Sequence, residues 1–112
     1  SYVPGWQLPG GGIERGQDAR AALEAELREE CNIVLEGEPS LFAVYFNTFA
    51  SNRDHVLLYV VRAFRQTHPR VADHEIVEAA FFPLDALPAG TTPATLRRLK
   101  EISGLEKPAS RW

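Results

Sequence analysis

Three consecutive glycines, Gly10 to Gly12, stand just ahead of a run from Gln17 to Glu36 that contains neither glycine nor proline. That juxtaposition limits what the chain can build: a permissive turn able to bring backbone close to a neighbour, then at once a stiff element. Ala, Leu, Glu and Arg fill most positions up to Cys31, and these are strong helix formers. Asp18 suits the N-cap, because its carboxylate can accept from an orphan backbone N–H of the first turn. Asn32 suits the exit, since Asn tolerates the left-handed conformation in which helices often end. A helix is therefore predicted over roughly Ala19 to Cys31.

Helical spacing sorts its charges, because only residues three or four apart are surface neighbours. Arg20, Glu24 and Arg28 form a ladder of alternating sign, the pattern of a solvated face. Glu26, Glu29 and Glu30 differ, since no cation of the helix lies one turn from any of them. Such crowding costs a few tenths of a kcal/mol per pair in an isolated helix. A divalent cation reverses the sign. Hard cations such as Mg²⁺ and Mn²⁺ take oxygen ligands, and Mg²⁺ commonly uses one or two carboxylates with substrate phosphates and waters. On spacing alone, an acidic face in plain contact with water is the competing account.

The order of residues decides further. Gly11, Gln17, and the run Glu26-Leu27-x-Glu29-Glu30-x-Asn32-Ile33 resemble the Nudix box of the Nudix hydrolases, G-x5-E-x7-R-E-U-x-E-E-x-G-U with U aliphatic. Gly11 matches the first glycine, Glu26 the glutamate after the arginine, Glu29 and Glu30 the paired glutamates, and Leu27 and Ile33 the aliphatic places. Gln17, Ala25 and Asn32 depart from the glutamate, arginine and second glycine of the pattern. The resemblance implies a Nudix-like α/β/α sandwich with a mixed β-sheet, an α/β (α+β) fold in which residues 1–112 form a single domain. It also implies strands that precede this chain's own start. Glu26, Glu29 and Glu30 become the metal ligands, for Mg²⁺ or Mn²⁺, and Gly10, Gly11 and Gly12 the loop that places a diphosphate. Glu26, Glu29 and Glu75 become the catalytic candidates, with Glu78 a further acid near Glu75. The family's arginine is thought to orient the glutamates, so its replacement by Ala25 calls for a cation from elsewhere, with Arg53 and Arg62 as candidates.

Composition sets the outer limits. With 112 residues, 45% apolar and 24% charged, the chain has the make-up of one globular domain. A net charge of −3 and a pI near 5.6 argue against a nonspecific nucleic-acid binder, which normally shows a basic stripe. The expected partner is a small nucleotide-like diphosphate, not a nucleic acid polymer and not a membrane, while a homodimer stays open. The lone Cys31 cannot form an internal disulfide, which suits a reducing cytoplasm. The glycine turn is not a P-loop, because Ile13-Glu14 stand where Lys-Ser/Thr would follow.

Elsewhere, Trp6 to Leu8 reads as a strand entering the glycine turn. Leu41–Phe49 and His55–Phe64 read as a hairpin whose near-continuous apolar runs suggest strands covered on both faces. Thr67 to Glu75 reads as a polar loop, and Ile76 to Leu84 as a further strand. Thr92 and Pro93 open a second helix to Ile102, with Leu96, Leu99 and Ile102 as its core stripe. Tyr45 and Phe46 are candidates to stack on a base, although core packing also accounts for them. The resemblance implies a metal-dependent hydrolase of a diphosphate linkage or a catalytically silent module that binds a nucleotide or a protein, with a purely structural domain as the third possibility.

Overall fold

In the computed structural model, residues 5–48, 54–69 and 79–112 are described. Their elements run α1 (Ala19–Cys31), β1 (Ile33–Leu35), β2 (Ser40–Phe46), β3 (His55–Val60), β4 (Phe64–Gln66) and α2 (Pro93–Ile102). β1 pairs with β4 and β2 with β3, each pair antiparallel. Isolated parallel bridges join Trp6 to Thr91 and Phe46 to Arg111, so both senses of pairing occur in an α+β fold. By compactness the chain divides into two units: Ser1–Leu8, Leu41–Val60 and Phe82–Trp112 form one, Pro9–Ser40 and Val61–Phe81 the other.

The second unit holds the glycine loop and α1. α1 has the predicted bounds: Asp18 accepts from the Ala21 N–H at 2.8 Å, and Asn32 leaves in the left-handed region at φ 57°. Asn32 does more than tolerate that conformation, because its amide donates to the carbonyls of His68 and Pro69 at 3.3 and 3.4 Å. Ala22 and Leu27 of α1 are buried along with Ile33 of β1. In the β1–β4 pair Ile33, Val34 and Leu35 face Gln66, Arg65 and Phe64. Of the charge ladder, Arg20 joins Glu24 at 3.4 Å and also Glu38 at 3.0 Å, whereas Arg28 makes no ion pair among the described residues.

In the first unit, Thr92 caps α2 and Pro93 occupies its first turn, as predicted. The buried stripe of α2 is not the predicted one. Leu96 is 39% exposed, and the buried positions are Thr95, Arg98 and Glu101, one turn apart. The cause is a polar network. Glu101, 4% exposed, accepts from the Tyr45 hydroxyl at 2.6 Å, from Arg98 Nη2 at 3.2 Å and from the Ala109 N–H at 3.0 Å. Arg98, 1% exposed, also donates from Nη1 to the Trp112 carbonyl at 2.8 Å. Its Nε lies 3.0 Å from Glu101 Oε1 outside hydrogen-bond geometry, so charge alone holds it. The guanidinium sits 4.4 Å from the Tyr45 ring centroid and 4.9 Å from that of Trp112, a cation–π contact with each. Burial, and then the bond to Glu101, pushes the Tyr45 phenol up to about 12. Burial also acts to raise Glu101, but its bonds to Tyr45, Ala109 and Arg98 outweigh it and hold the carboxyl below its ordinary value.

Several strand expectations change. Trp6 makes only a two-bond bridge, its N–H donating to Gly90 and its carbonyl accepting from Thr92, both at 2.9 Å, and Gln7 and Leu8 are not strand. The hairpin is shorter than predicted, and Phe64 belongs to β4 instead of β3. Nor are the strands covered on both faces: Leu41 is 50% and Val44 48% exposed. Of the predicted Ile76–Leu84 strand, 76–78 lie outside the described residues and 79–84 are irregular. Pro83 has no N–H to give a ladder. The rings serve separate contacts: Phe81 stacks on Phe64 in one unit, and Phe82 meets Trp6 edge-on in the other.

Candidate functional site

The loop from Pro9 to Gly16 is exposed throughout and touches α1 at two points. The Gly10 N–H donates to Glu30 Oε1 at 3.0 Å. Gly11 lies against the Glu26 carboxylate so closely that any Cβ there would overlap it. Glycine permits both positive φ and close approach of backbone to a neighbour. Close approach is what Gly11 supplies, while positive φ falls instead at Gly16, at 85°.

Glu26 and Glu30 stand one helical turn apart, and the charges of Glu26 and Glu29 both act on Glu30. Burial raises the Glu30 carboxyl above its ordinary value; the Gly10 N–H acts against this, and the charges of Glu26 and Glu29 add to it. Glu26 and Glu30 are half-buried and Glu29 is exposed. Neither Glu26 nor Glu29 forms an ion pair with a cationic side chain among the described residues. Glu30 is thus within electrostatic reach of both other predicted ligands. No group of three or more His, Cys, Asp or Glu stands ready-made for a metal among the described residues.

The departures from the motif have local explanations. Gln17 Oε1 accepts from the Glu14 N–H at 3.0 Å while the Gln17 N–H donates to the Glu14 carbonyl at 3.0 Å, so Gln17 closes the turn ahead of the Asp18 cap. This role needs an oxygen and no charge. Ala25 leaves the acidic face without the family's arginine, and Arg62 does not replace it, being exposed and outside any ion pair among the described residues. Arg53, Glu75 and Glu78 lie outside the described residues. Tyr45 is fully buried and so is removed as a base-stacking candidate. Phe46 is half-buried, with His55 stacked on it at 5.3 Å and Arg111 at 5.6 Å. Sequence reasoning missed the Arg98–Glu101–Tyr45 network, although the i,i+3 spacing of Arg98 and Glu101 was visible.

Among the described residues no helix is long and apolar enough to cross a membrane. The profile of the NUDIX domain matches residues 1–101. The chain is similar to a MutT NUDIX hydrolase from Burkholderia pseudomallei, whose crystal structure superposes with a TM-score of 0.71 at 33% identity, over 90% of this chain and 81% of that one. It is also 53% identical over 36 residues to an RNA pyrophosphohydrolase from Dinoroseobacter shibae (strain DSM 16493 / NCIMB 14021 / DFL 12). That match takes in 32% of this chain and about a fifth, 22%, of the relative. With the glutamates, the glycine loop and the family profile in agreement, the chain belongs to the NUDIX domain family.

Proposed function

We propose that this chain is a metal-dependent hydrolase that cleaves a diphosphate linkage in a nucleoside diphosphate joined to another group, by attack of water on phosphorus. The observation that carries this reading is the seating of Glu30 on the Gly10 N–H and of Glu26 against Gly11, one helical turn apart, in a NUDIX domain. The profile runs through both compact units, which supports treating residues 1–112 as one domain.

The donor set fits Mg²⁺ or Mn²⁺: hard carboxylate oxygens, two of them one helical turn apart, carry like charges that a dication relieves. Glu26, Glu29 and Glu30 would hold the ion, which when bound neutralises charge developing on phosphate oxygens and lowers the pKa of a water. Glu26 takes the proton of the attacking water, with Glu75 as second candidate. The backbone of Gly10 to Gly12 allows the diphosphate to come close. The single cysteine supports a reducing compartment, the cytoplasm, for this chemistry.

The test is a panel of nucleoside diphosphate-linked compounds with Mg²⁺ or Mn²⁺. Because one relative is named an RNA pyrophosphohydrolase, the panel includes RNA carrying a 5′ polyphosphate. Turnover that needs the metal and disappears in Glu29→Gln and Glu30→Gln is the expected result. Ala25 favours a second reading, a silent binding module, because the face lacks the arginine expected to orient its acids. Nucleotide binding without turnover on any panel member would establish that reading in place of the first.

A further inference from the structure

We propose that Gln17 is a positioning residue for the Glu26–Glu30 pair, acting through the glycine loop; the inference rests on the hydrolase reading for its consequence in activity but not for its structural part. The loop from Pro9 to Gly16 is exposed, and Ile13, its one large apolar side chain, is 52% exposed, so apolar packing gives it little hold. Four glycines in its eight residues leave a large backbone entropy to overcome. Against that entropy, the polar contacts among the described residues are few. One end of the loop is fastened by the Gly10 N–H to Glu30, beside which Gly11 lies close against the Glu26 carboxylate. The other end is fastened by the reciprocal Glu14–Gln17 bonds, immediately before Asp18 caps α1.

Gln17 is half-buried where its loop neighbours are exposed. Its Oε1 is the only side-chain atom that closes the 14–17 turn among the described residues. Opening that turn frees the segment leading back to Gly10 and Gly11, and with it the two points that set the carboxylates. The residue that departs from the motif therefore keeps a function that depends on an acceptor oxygen, which either Gln or Glu provides.

The test compares Gln17→Leu, which removes the acceptor, with Gln17→Glu, which keeps it. Mn²⁺ affinity is measured on the full chain from the paramagnetic signal of free Mn²⁺, and urea unfolding of each variant verifies that it folds. Loss of one hydrogen bond predicts Mn²⁺ binding weaker by roughly three- to tenfold in Gln17→Leu. Gln17→Glu should bind at least as tightly as the parent. Unchanged affinity in Gln17→Leu, or no rescue by Gln17→Glu, overturns the proposal. If the parent itself binds no Mn²⁺, the hydrolase reading fails, and hydrogen exchange decides the structural part. Faster exchange of the Glu14 and Gly10 amides in Gln17→Leu then supports it, and unchanged exchange overturns it.

Discussion

The two helices each bring carboxylates out of bulk water, and they treat the charge in opposite ways. Glu101 on α2 meets a guanidinium, a phenol and a backbone N–H, and its carboxyl is held below its ordinary value in spite of burial. Glu30 on α1 meets the Gly10 N–H, yet burial and its glutamate neighbours win and its carboxyl is raised. A fold that can compensate a buried acid as fully as it does at Glu101 has the means to do so at Glu30. Where like charges are instead left crowded, the arrangement suits a ligand that supplies positive charge. The contrast separates an acid that serves the fold from acids held for chemistry.

The largest expected effect breaks the compensated side. Arg98→Ala strands Glu101 as a buried charge and should lower the unfolding free energy by about 3–5 kcal/mol, measured by urea denaturation. A cost below 1 kcal/mol would show that the network does not bind this unit together. On the other side, Glu26→Gln should reduce turnover by roughly 10²–10⁴ while leaving the urea midpoint nearly in place. Equal losses of activity and stability there would erase the contrast.

Acid titration comes next. The Glu101 carboxyl lies below its unfolded value of 4.5, so its contribution is present above that pH and is lost as pH falls through the folded value. The acid limb of the stability curve should therefore be steep, with stability lost as Glu101 takes up a proton. Urea midpoints of Glu101→Gln should show a flatter limb. Gly11→Ala should reduce turnover roughly tenfold by moving the Glu26 carboxylate, which is the flexible end of its side chain and can yield without unfolding the loop. The smallest effect sharpens the comparison most. A carboxyl raised by folding contributes stability that is lost as pH rises, so near neutral pH ionised Glu30 opposes folding. Glu30→Gln should then gain a few tenths of a kcal/mol without metal, visible as a higher thermal midpoint. Added Mn²⁺ should stabilise the parent and not this variant.

How far these regions could be read from residues alone follows from how local their causes are. α1 needed only propensity, the Asp18 cap and the Asn32 exit, all within a few positions of each other, and its bounds emerge as predicted. The acidic face was equally legible, since Glu26, Glu29 and Glu30 follow helical spacing. What spacing could not supply was the Glu26–Gly11 contact, which joins residues fifteen positions apart. α2 has its predicted cap and end, but its buried stripe differs for a related reason. Leu96, Leu99 and Ile102 make the more apolar stripe, but partners distant in sequence, Tyr45 and Trp112, turn Arg98 and Glu101 inward. Within the Ile76 to Leu84 window, Pro83 opposes a strand, and the described residues 79–84 are irregular.

The irregular segment after α2 contains neither helix nor strand, yet two buried ions depend on it. Ala109 supplies an amide hydrogen to Glu101, and Trp112 supplies a carbonyl to Arg98 and a T-shaped ring contact to Tyr45. Deleting residues 109–112 would therefore remove interior wiring from a stretch with no regular structure of its own.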